Sequence, residues 1–336
     1  MKRAIYRGLL TAFVLIATIL LAVPGIGLAA DGNQQIDDTE AAGAGSIGHY
    51  YKGPEFVAAV VAISEEGPIR DDLIARGLFT YPDDETGEPG LVKVGEIKKL
   101  VEAGVYYIDE TNRLRIGSQT DGQEAAATAK NALVYKYAEM VTRRLEIWDD
   151  FKYRGHRCYV HIPADIDLEP GTKQNLYCTH MGTSDAYYFV ECGVGWGPNS
   201  SNPFIYTYDT YTYHLPYKYI TSGVSRDIYL KIDIDSEDYT AKMYVRDPYT
   251  GKTVTTYQEV IALNHRADQC QEQASYTDTW TETPKVKQFD NRLKNKSDKW
   301  VKWNDSIATD WDHNAPLYES HGITNDMKWI KTWCNP

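Results

Sequence analysis

The sequence predicts a mainly β protein: an antiparallel two-sheet sandwich of jelly-roll type over residues 153–336, preceded by a small α-rich domain over 49–152. Three observations point there. From residue 153 onward, apolar residues recur at period two in short runs, the spacing of strands buried on one face. Turn residues punctuate those runs, as in Glu169-Pro-Gly171, Gly197-Pro-Asn199 and Asp247-Pro-Tyr-Thr-Gly251. Helical spacing is confined almost entirely to the segment before residue 153, and many strands with few helices argue a sandwich. Of the 336 residues, 43% are apolar and 12% aromatic, with 26 Tyr and 8 Trp; that composition excludes a disordered or fibrous chain. The formal net charge of -12 argues against nucleic acid as a partner, because phosphate binding needs a basic surface.

The elements follow in chain order. Lys2, Arg3 and Arg7 precede the apolar run Leu9–Val23, and small residues end at Ala29-Ala30. That is the pattern of a secretory signal over 1–30, with cleavage after Ala29 or Ala30. The rival is an uncleaved anchor, but the run is shorter than the ~20 residues a span needs. The expectation is a secreted, extracellular protein with no stable membrane anchor after cleavage. Residues 31–48 read as a polar, then Ala/Gly-rich leader. Gly43-Ala-Gly45-Ser-Ile-Gly48 within it matches a dinucleotide fingerprint, but no strand precedes it.

An internal repeat follows. Asp71-Asp-Leu-Ile-Ala-Arg-Gly77-Leu-Phe-Thr-Tyr81 parallels Lys98-Lys-Leu-Val-Glu-Ala-Gly104-Val-Tyr-Tyr-Ile108, 27 residues apart. Each copy reads as a short helix, a glycine just past its end, then a strand. A longer helix is expected next, capped by Asp121 with Glu124, carrying Val134, Tyr137, Val141, Leu145 and Trp148 on one face. The strands expected beyond it are 158–162, 187–194, 204–213, 228–234, 241–246, 253–260 and 323–333.

Export makes the cysteines interpretable as disulfides. There are five, Cys158, Cys178, Cys192, Cys270 and Cys334. At most two bridges form, the candidates being Cys158, Cys178, Cys270 and Cys334, with the pairing open. No metal and no cofactor is expected: C-x-x-C is absent, and the nearest approach to a ligand pair is Cys178-Thr-His180.

Candidate chemistry concentrates in two strands. In Tyr187-Tyr-Phe-Val-Glu191-Cys-Gly-Val-Gly-Trp196, alternation sets Tyr187, Phe189 and Glu191 on one face. Glu191 is the only charge in the run. It is either an edge residue facing solvent or a desolvated carboxylate of the kind a general acid/base needs. In the next run, Ile205, Thr207, Asp209, Tyr211 and Tyr213 share a face. An aromatic face bearing a carboxylate suits a peptide or sugar groove, and equally suits plain cross-strand packing. Lys231-Ile-Asp233-Ile-Asp235-Ser-Glu237 reads as a solvated strand end. Lys231 stands where a sandwich glycosidase would have its first Glu, and a calcium loop would need Gly at 238. No G-x-S-x-G is present.

Phe189-Val-Glu191-Cys-Gly-Val-Gly-Trp196, then Pro203-Phe-Ile-Tyr-Thr-Tyr-Asp209-Thr, then Met243-Tyr-Val-Arg-Asp-Pro-Tyr-Thr-Gly251, resemble in order the strands of neprosin-type glutamic peptidases. Cys270-Gln-Glu-Gln-Ala274-Ser-Tyr-Thr-Asp-Thr-Trp280 resembles a strand of the fungal eqolisins. The resemblance covers roughly 155–335. It implies a concanavalin-like sandwich and a secreted endopeptidase made as a proform, with 31–150 covering the groove. Glu191 would then activate water, and a second acidic or amide group would stabilise the oxyanion. The second position falls near Ser275, where the family has Glu, and Asp209 is the candidate to replace it. Trp196, Tyr211, Tyr213 and Ser275 would line the groove. The partner would be an extracellular peptide. The alternative is a non-catalytic module on the same scaffold that binds peptide or polysaccharide.

Overall fold

The computed structural model describes residues 53–108, 114–117, 136–145, 153–164, 172–182, 188–196, 203–260, 266–275, 286–303, 309–310, 321–323 and 329–332. The signal, the leader, the Asp121 cap and Cys334 lie outside the described residues. Among the described residues, no helix is long and apolar enough to cross a membrane.

Three short helices and two pairs of short strands open the described chain. Helix α1 spans Gly53–Ser64, α2 Pro68–Ala75 and α3 Val94–Glu102. Strand β1 is Phe79–Thr80 and pairs with β2, Gly90–Lys93; β3, Tyr106–Ile108, pairs with β4, Leu114–Ile116. Helix α1 was not legible in the sequence. Its Phe56, Val57, Ala58, Ala59, Val60, Ala62 and Ile63 are all buried. A helix that is apolar nearly all round must be covered nearly all round.

The expected repeat is present. After α2, the N–H groups of Arg76, Gly77 and Leu78 donate to the carbonyls of Asp72, Ile74 and Leu73. After α3, those of Ala103, Gly104 and Val105 donate to Lys99, Val101 and Leu100, the same pattern 27 residues on. Gly77 and Gly104 take φ of 67° and 72°, the left-handed turn that closes a helix.

The second half is the expected sandwich. The remaining strands are β5 Lys136–Leu145, β6 Tyr153–Ile162, β7 Thr172–Gly182, β8 Phe189–Trp196, β9 Phe204–Asp209, β10 His214–Tyr219, β11 Arg226–Ile234, β12 Thr240–Arg246, β13 Thr253–Glu259, β14 Arg266–Ser275, β15 Val286–Asn295, β16 Trp300–Lys302, β17 Thr309–Asp310, β18 His321–Ile323 and β19 Trp329–Thr332. Among the described residues one sheet runs β1-β2-β10-β9-β8-β7-β14-β5-β17. The other runs β13-β12-β11-β6-β15-β19-β18, with β16 beside β15. Every pairing that builds them is antiparallel.

Two cores lie on the two faces of the first sheet. Between the sheets, Val190, Cys192, Val194, Trp196 and Ile205 pack with Cys158, Val160, Leu230, Ile232, Met243 and Val245. On the outer face, Phe189, Cys178, Phe204, Tyr206, Tyr208 and Tyr217 pack with Phe56, Ala59, Val60 and Ile63 of α1. The arrangement is therefore helices, sheet, sheet.

Three expectations are corrected. The helix expected across 121–148 is replaced at 136–145 by β5, hydrogen-bonded to β14. Tyr137, Val141 and Thr142 favour a pleated backbone, and pairing to a sheet outweighs a weak helical spacing. The leading segment is not set apart from the sandwich, since β2 extends the first sheet through β10, with Val92 opposite Leu215. The strand expected over 204–213 stops at Asp209, where Asp209 accepts hydrogen bonds from the N–H groups of Tyr211 and Thr212 and from the Thr212 hydroxyl. Tyr213 then turns back with φ of 53° into β10.

The Asp247-Pro-Tyr-Thr-Gly251 turn also has an ionic anchor. Fully buried Asp247 meets the Arg226 guanidinium at 2.8 Å and accepts from the Thr250 hydroxyl at 2.8 Å. Arg226→Met should cost about 3 kcal/mol in urea unfolding, because it strands a buried carboxylate. Lys252→Met, which removes an exposed ion pair to Asp84, should cost less than about 1 kcal/mol. Equal effects in the two variants would refute this reading of the turn.

Candidate functional site

Strand β8 is buried along its whole length, because one face meets the second sheet and the other meets the helices. Glu191 points to the helix side with Phe189, while Val190 and Cys192 point into the sandwich. A carboxylate there has no water to solvate it and needs polar partners.

The ladder supplies them. His180 of β7 stands directly opposite Glu191, so both side chains rise from the same face as neighbours. His180 Nε2 lies 2.5 Å from Glu191 Oε2, and both side chains are wholly buried. The Tyr206 hydroxyl of β9 donates to Glu191 Oε1. Cys178, two residues before His180 on the same face, places Sγ 3.5 Å from His180 Nε2. Burial alone would push the His180 imidazole down. The Glu191 carboxylate and Cys178 outweigh it and hold His180 well above its ordinary value.

Gly193 makes this contact set fit. It stands opposite Cys178 on one side and Tyr206 on the other. A Cβ on Gly193 would come 2.7 Å from the Cys178 Cβ, 2.8 Å from the Tyr177 carbonyl oxygen and 2.9 Å from the Tyr206 hydroxyl. The bare glycine is the gap through which Tyr206 reaches Glu191. Above the cluster lies α1: Phe56 packs on Tyr208 with ring centroids 4.6 Å apart, and Phe189 lies 5.4 Å from His180.

The other expected site residues lie elsewhere. Asp209 is the ladder partner of Val190, so it is on the sandwich side of the sheet, opposite to Glu191. Burial pushes its carboxyl up, against the lowering effect of its bonds from Thr212 and Tyr211; it caps a turn. Trp196 is 1% exposed and packs edge-on against Tyr177 in the inner core. Tyr211 stacks on Tyr188 at 5.3 Å. Tyr213 sits under α3, with the Lys98 ammonium 5.8 Å from its ring.

Ser275 ends β14, where it is opposite Thr172 of β7. The β14 residue in the Glu191 row is Asp268, the partner of His180, and Ser275 lies seven residues beyond it, roughly 20 Å along the strand. Among the disulfide candidates, Cys158 and Cys178 are both buried. They lie in different cores, on opposite sides of the first sheet, so they cannot bridge each other. Cys270 is the ladder partner of Cys178. Asp233 is paired with Lys231 and Lys294, each at 2.7 Å, as expected of a solvated strand end.

What the sequence reading missed is His180, Tyr206 and the role of Cys178. A hairpin signal was there: folding the chain between Gly182 and Phe189 sets His180 against Glu191. Chemically, the arrangement offers a carboxylate base, two proton donors held on it and a thiol. Sγ and Oε2 meet the same imidazole nitrogen, whereas a nucleophile–histidine–carboxylate relay uses both ring nitrogens. The cluster is therefore not a cysteine triad. Cys178, His180 and Glu191 do offer ligand atoms within 4.8 Å of one another, the one such group of metal-ligating side chains found among the described residues.

No protein-family model matches the chain, and no curated protein matches it. Comparison with solved structures finds scytalido-glutamic peptidase with a peptide-based transition state analog, at 8% identity and TM-score 0.43, covering 60% of this chain and 99% of that one. A second structure of that peptidase, with a transition state analog inhibitor, matches at 8% and 0.44, covering 60% and 98%. SCP-B, a member of the eqolisin family of peptidases in complex with the tripeptide Ala-Ile-His, matches at 8% and 0.40, covering 60% and 99%.

Gly193→Ala should destabilise the protein by about 1–3 kcal/mol, since two of the three clashes are with backbone or a Cβ that cannot swing away. Chemical denaturation of the variant beside the unaltered chain checks it. An unshifted Gly193→Ala midpoint would contradict the packing described.

Proposed function

We propose that the chain is a latent, exported peptide hydrolase of glutamic type, in which Glu191 serves as the base toward water and α1 holds the site closed. The observation that carries this reading is a carboxylate with two proton donors, buried beneath a helix that precedes the sandwich in the chain. The signal-like N-terminus supports export.

In this reading the leading segment must first leave the face that bears Glu191. Water then attacks the peptide carbonyl while Glu191 takes its proton. His180, protonated in this reading, and the Tyr206 hydroxyl, both in contact with Glu191, donate to the negative oxygen of the tetrahedral intermediate. The proton passes to the departing amine as the C–N bond breaks. Asp268 stands in the ladder row of His180 and Glu191. The substrate is an extracellular peptide.

A second reading is a peptide- or polysaccharide-binding module. What favours it is that both Glu191 oxygens are already engaged, one by Tyr206 and one by His180.

The test is to incubate the full chain, and the chain after limited proteolysis of its leading segment, with denatured protein across acid to neutral pH. Cleavage should appear only after processing and fall on the order of 10²-fold or more in Glu191→Gln. Cleavage that survives Glu191→Gln would reject the mechanism. A processed sandwich that binds peptide or polysaccharide without cutting it would establish the second reading.

A further inference from the structure

We infer that Cys178, His180 and Glu191 form a binding site for a thiophilic divalent cation, Zn²⁺ above all. The inference does not rest on the peptidase reading. It rests on three donor types (thiol, imidazole and carboxylate) that converge from two adjacent strands within 4.8 Å, all of them wholly buried.

The distances suit a tetrahedral ion. Ligand bonds of ~2.3 Å to sulfur and ~2.0 Å to nitrogen put those two atoms about 3.5 Å apart around a tetrahedral centre. Cys178 Sγ and His180 Nε2 are 3.5 Å apart. The nitrogen and Glu191 Oε2 are closer, at 2.5 Å. Opening that pair by roughly 1 Å would give the nitrogen–oxygen separation of a tetrahedral ion.

Charge and orientation fit as well. A dication with a thiolate, a neutral imidazole and a carboxylate sums to zero, the state a desolvated site favours. Tyr206 holds Oε1 and so turns Oε2 toward the other two donors, the outer hydrogen bond that ligating carboxylates commonly have. Gly193 lets the Tyr206 hydroxyl approach that carboxylate, since a Cβ there would come 2.9 Å from the hydroxyl. Sulfur with nitrogen selects zinc over magnesium or calcium, which take oxygen ligands.

The experiment uses the full chain, treated with chelator and titrated with Co²⁺ as a spectroscopic stand-in for Zn²⁺. One equivalent should bind and give a thiolate-to-cobalt charge-transfer band in the near ultraviolet, and Zn²⁺ should bleach it. Cys178→Ser should remove the band. Tyr206→Phe should weaken binding roughly tenfold or more while keeping the fold. Zn²⁺ should also raise the thermal midpoint of the unaltered chain where Mg²⁺ does not, a readout that needs no variant. A chain that takes up no Co²⁺, or an unchanged band in Cys178→Ser, would overturn the site. Because the readouts are spectroscopic and thermal, a chain that binds cobalt but never cleaves peptide keeps this inference and loses the peptidase reading. The reverse result does the opposite.

Discussion

The contact on which the rest depends is the Glu191 carboxylate held between His180 and Tyr206 inside a strand buried on both faces. An isolated ion in that position would be prohibitively costly, and removing one member of a buried pair typically costs about 3–5 kcal/mol. Everything around the carboxylate answers that constraint. The β7–β8 register sets an imidazole opposite it. A glycine two residues along opens the path for a tyrosine hydroxyl. Aromatic rings of Phe189, Tyr208 and Phe56 close off water, which strengthens each polar contact that remains.

The same constraint explains why the leading segment is built into the sheet. Helix α1 must stay seated if Glu191 is to stay dry, and two side chains bolt its C-terminal end in place. Arg70 of α2 donates to the Ala62 and Ile63 carbonyls, and the Tyr219 hydroxyl of β10 donates to Ile63. These are carbonyls that a helix leaves without an internal partner. The repeat contributes on both sides: its first copy carries Arg70 and leads through β1 to the β2 edge, and its second packs α3 on Tyr213. Adding β2 to β10 also covers a strand edge that would otherwise invite association.

How much of this was legible in the sequence depended on whether the signal was local. The sandwich was legible, because alternation and turn residues report a strand's own environment, and β6, β8, β11, β12 and β13 fall where alternation put them. The repeat was legible for the same reason: Gly77 and Gly104 mark helix ends by their own backbone needs. Strand β5 was not, since its Tyr137, Val141 and Leu145 fit a helix until β14 and β17 pair with them. Glu191 could be singled out as a lone charge in an apolar run, but its partners could not, because register between strands is a long-range property. Asp209 and Ser275 failed on that account. Each is near the right place in the chain, yet one faces the other side of the sheet and the other lies far along its strand.

Two uses of Glu191 now compete for one pair of oxygens. As a base it must present a lone pair to water; as a ligand it spends that lone pair on a cation. The two cannot hold at once, and the geometry says which condition favours each. With α1 seated, the site is closed, dry and lined by a thiol and an imidazole, which suits an ion that needs few waters. In the proposed peptidase state, with α1 displaced, water would return and His180 and Tyr206 would be freed to act on a substrate. The leading segment would then control two things at once, access to the groove and the chemical state of its carboxylate. A cation held in the closed state would tie β7 to β8 through the residues that later do the chemistry, and its loss would accompany opening rather than precede it. Latency in that arrangement would depend on the protein's own ligands as much as on the helix that covers them.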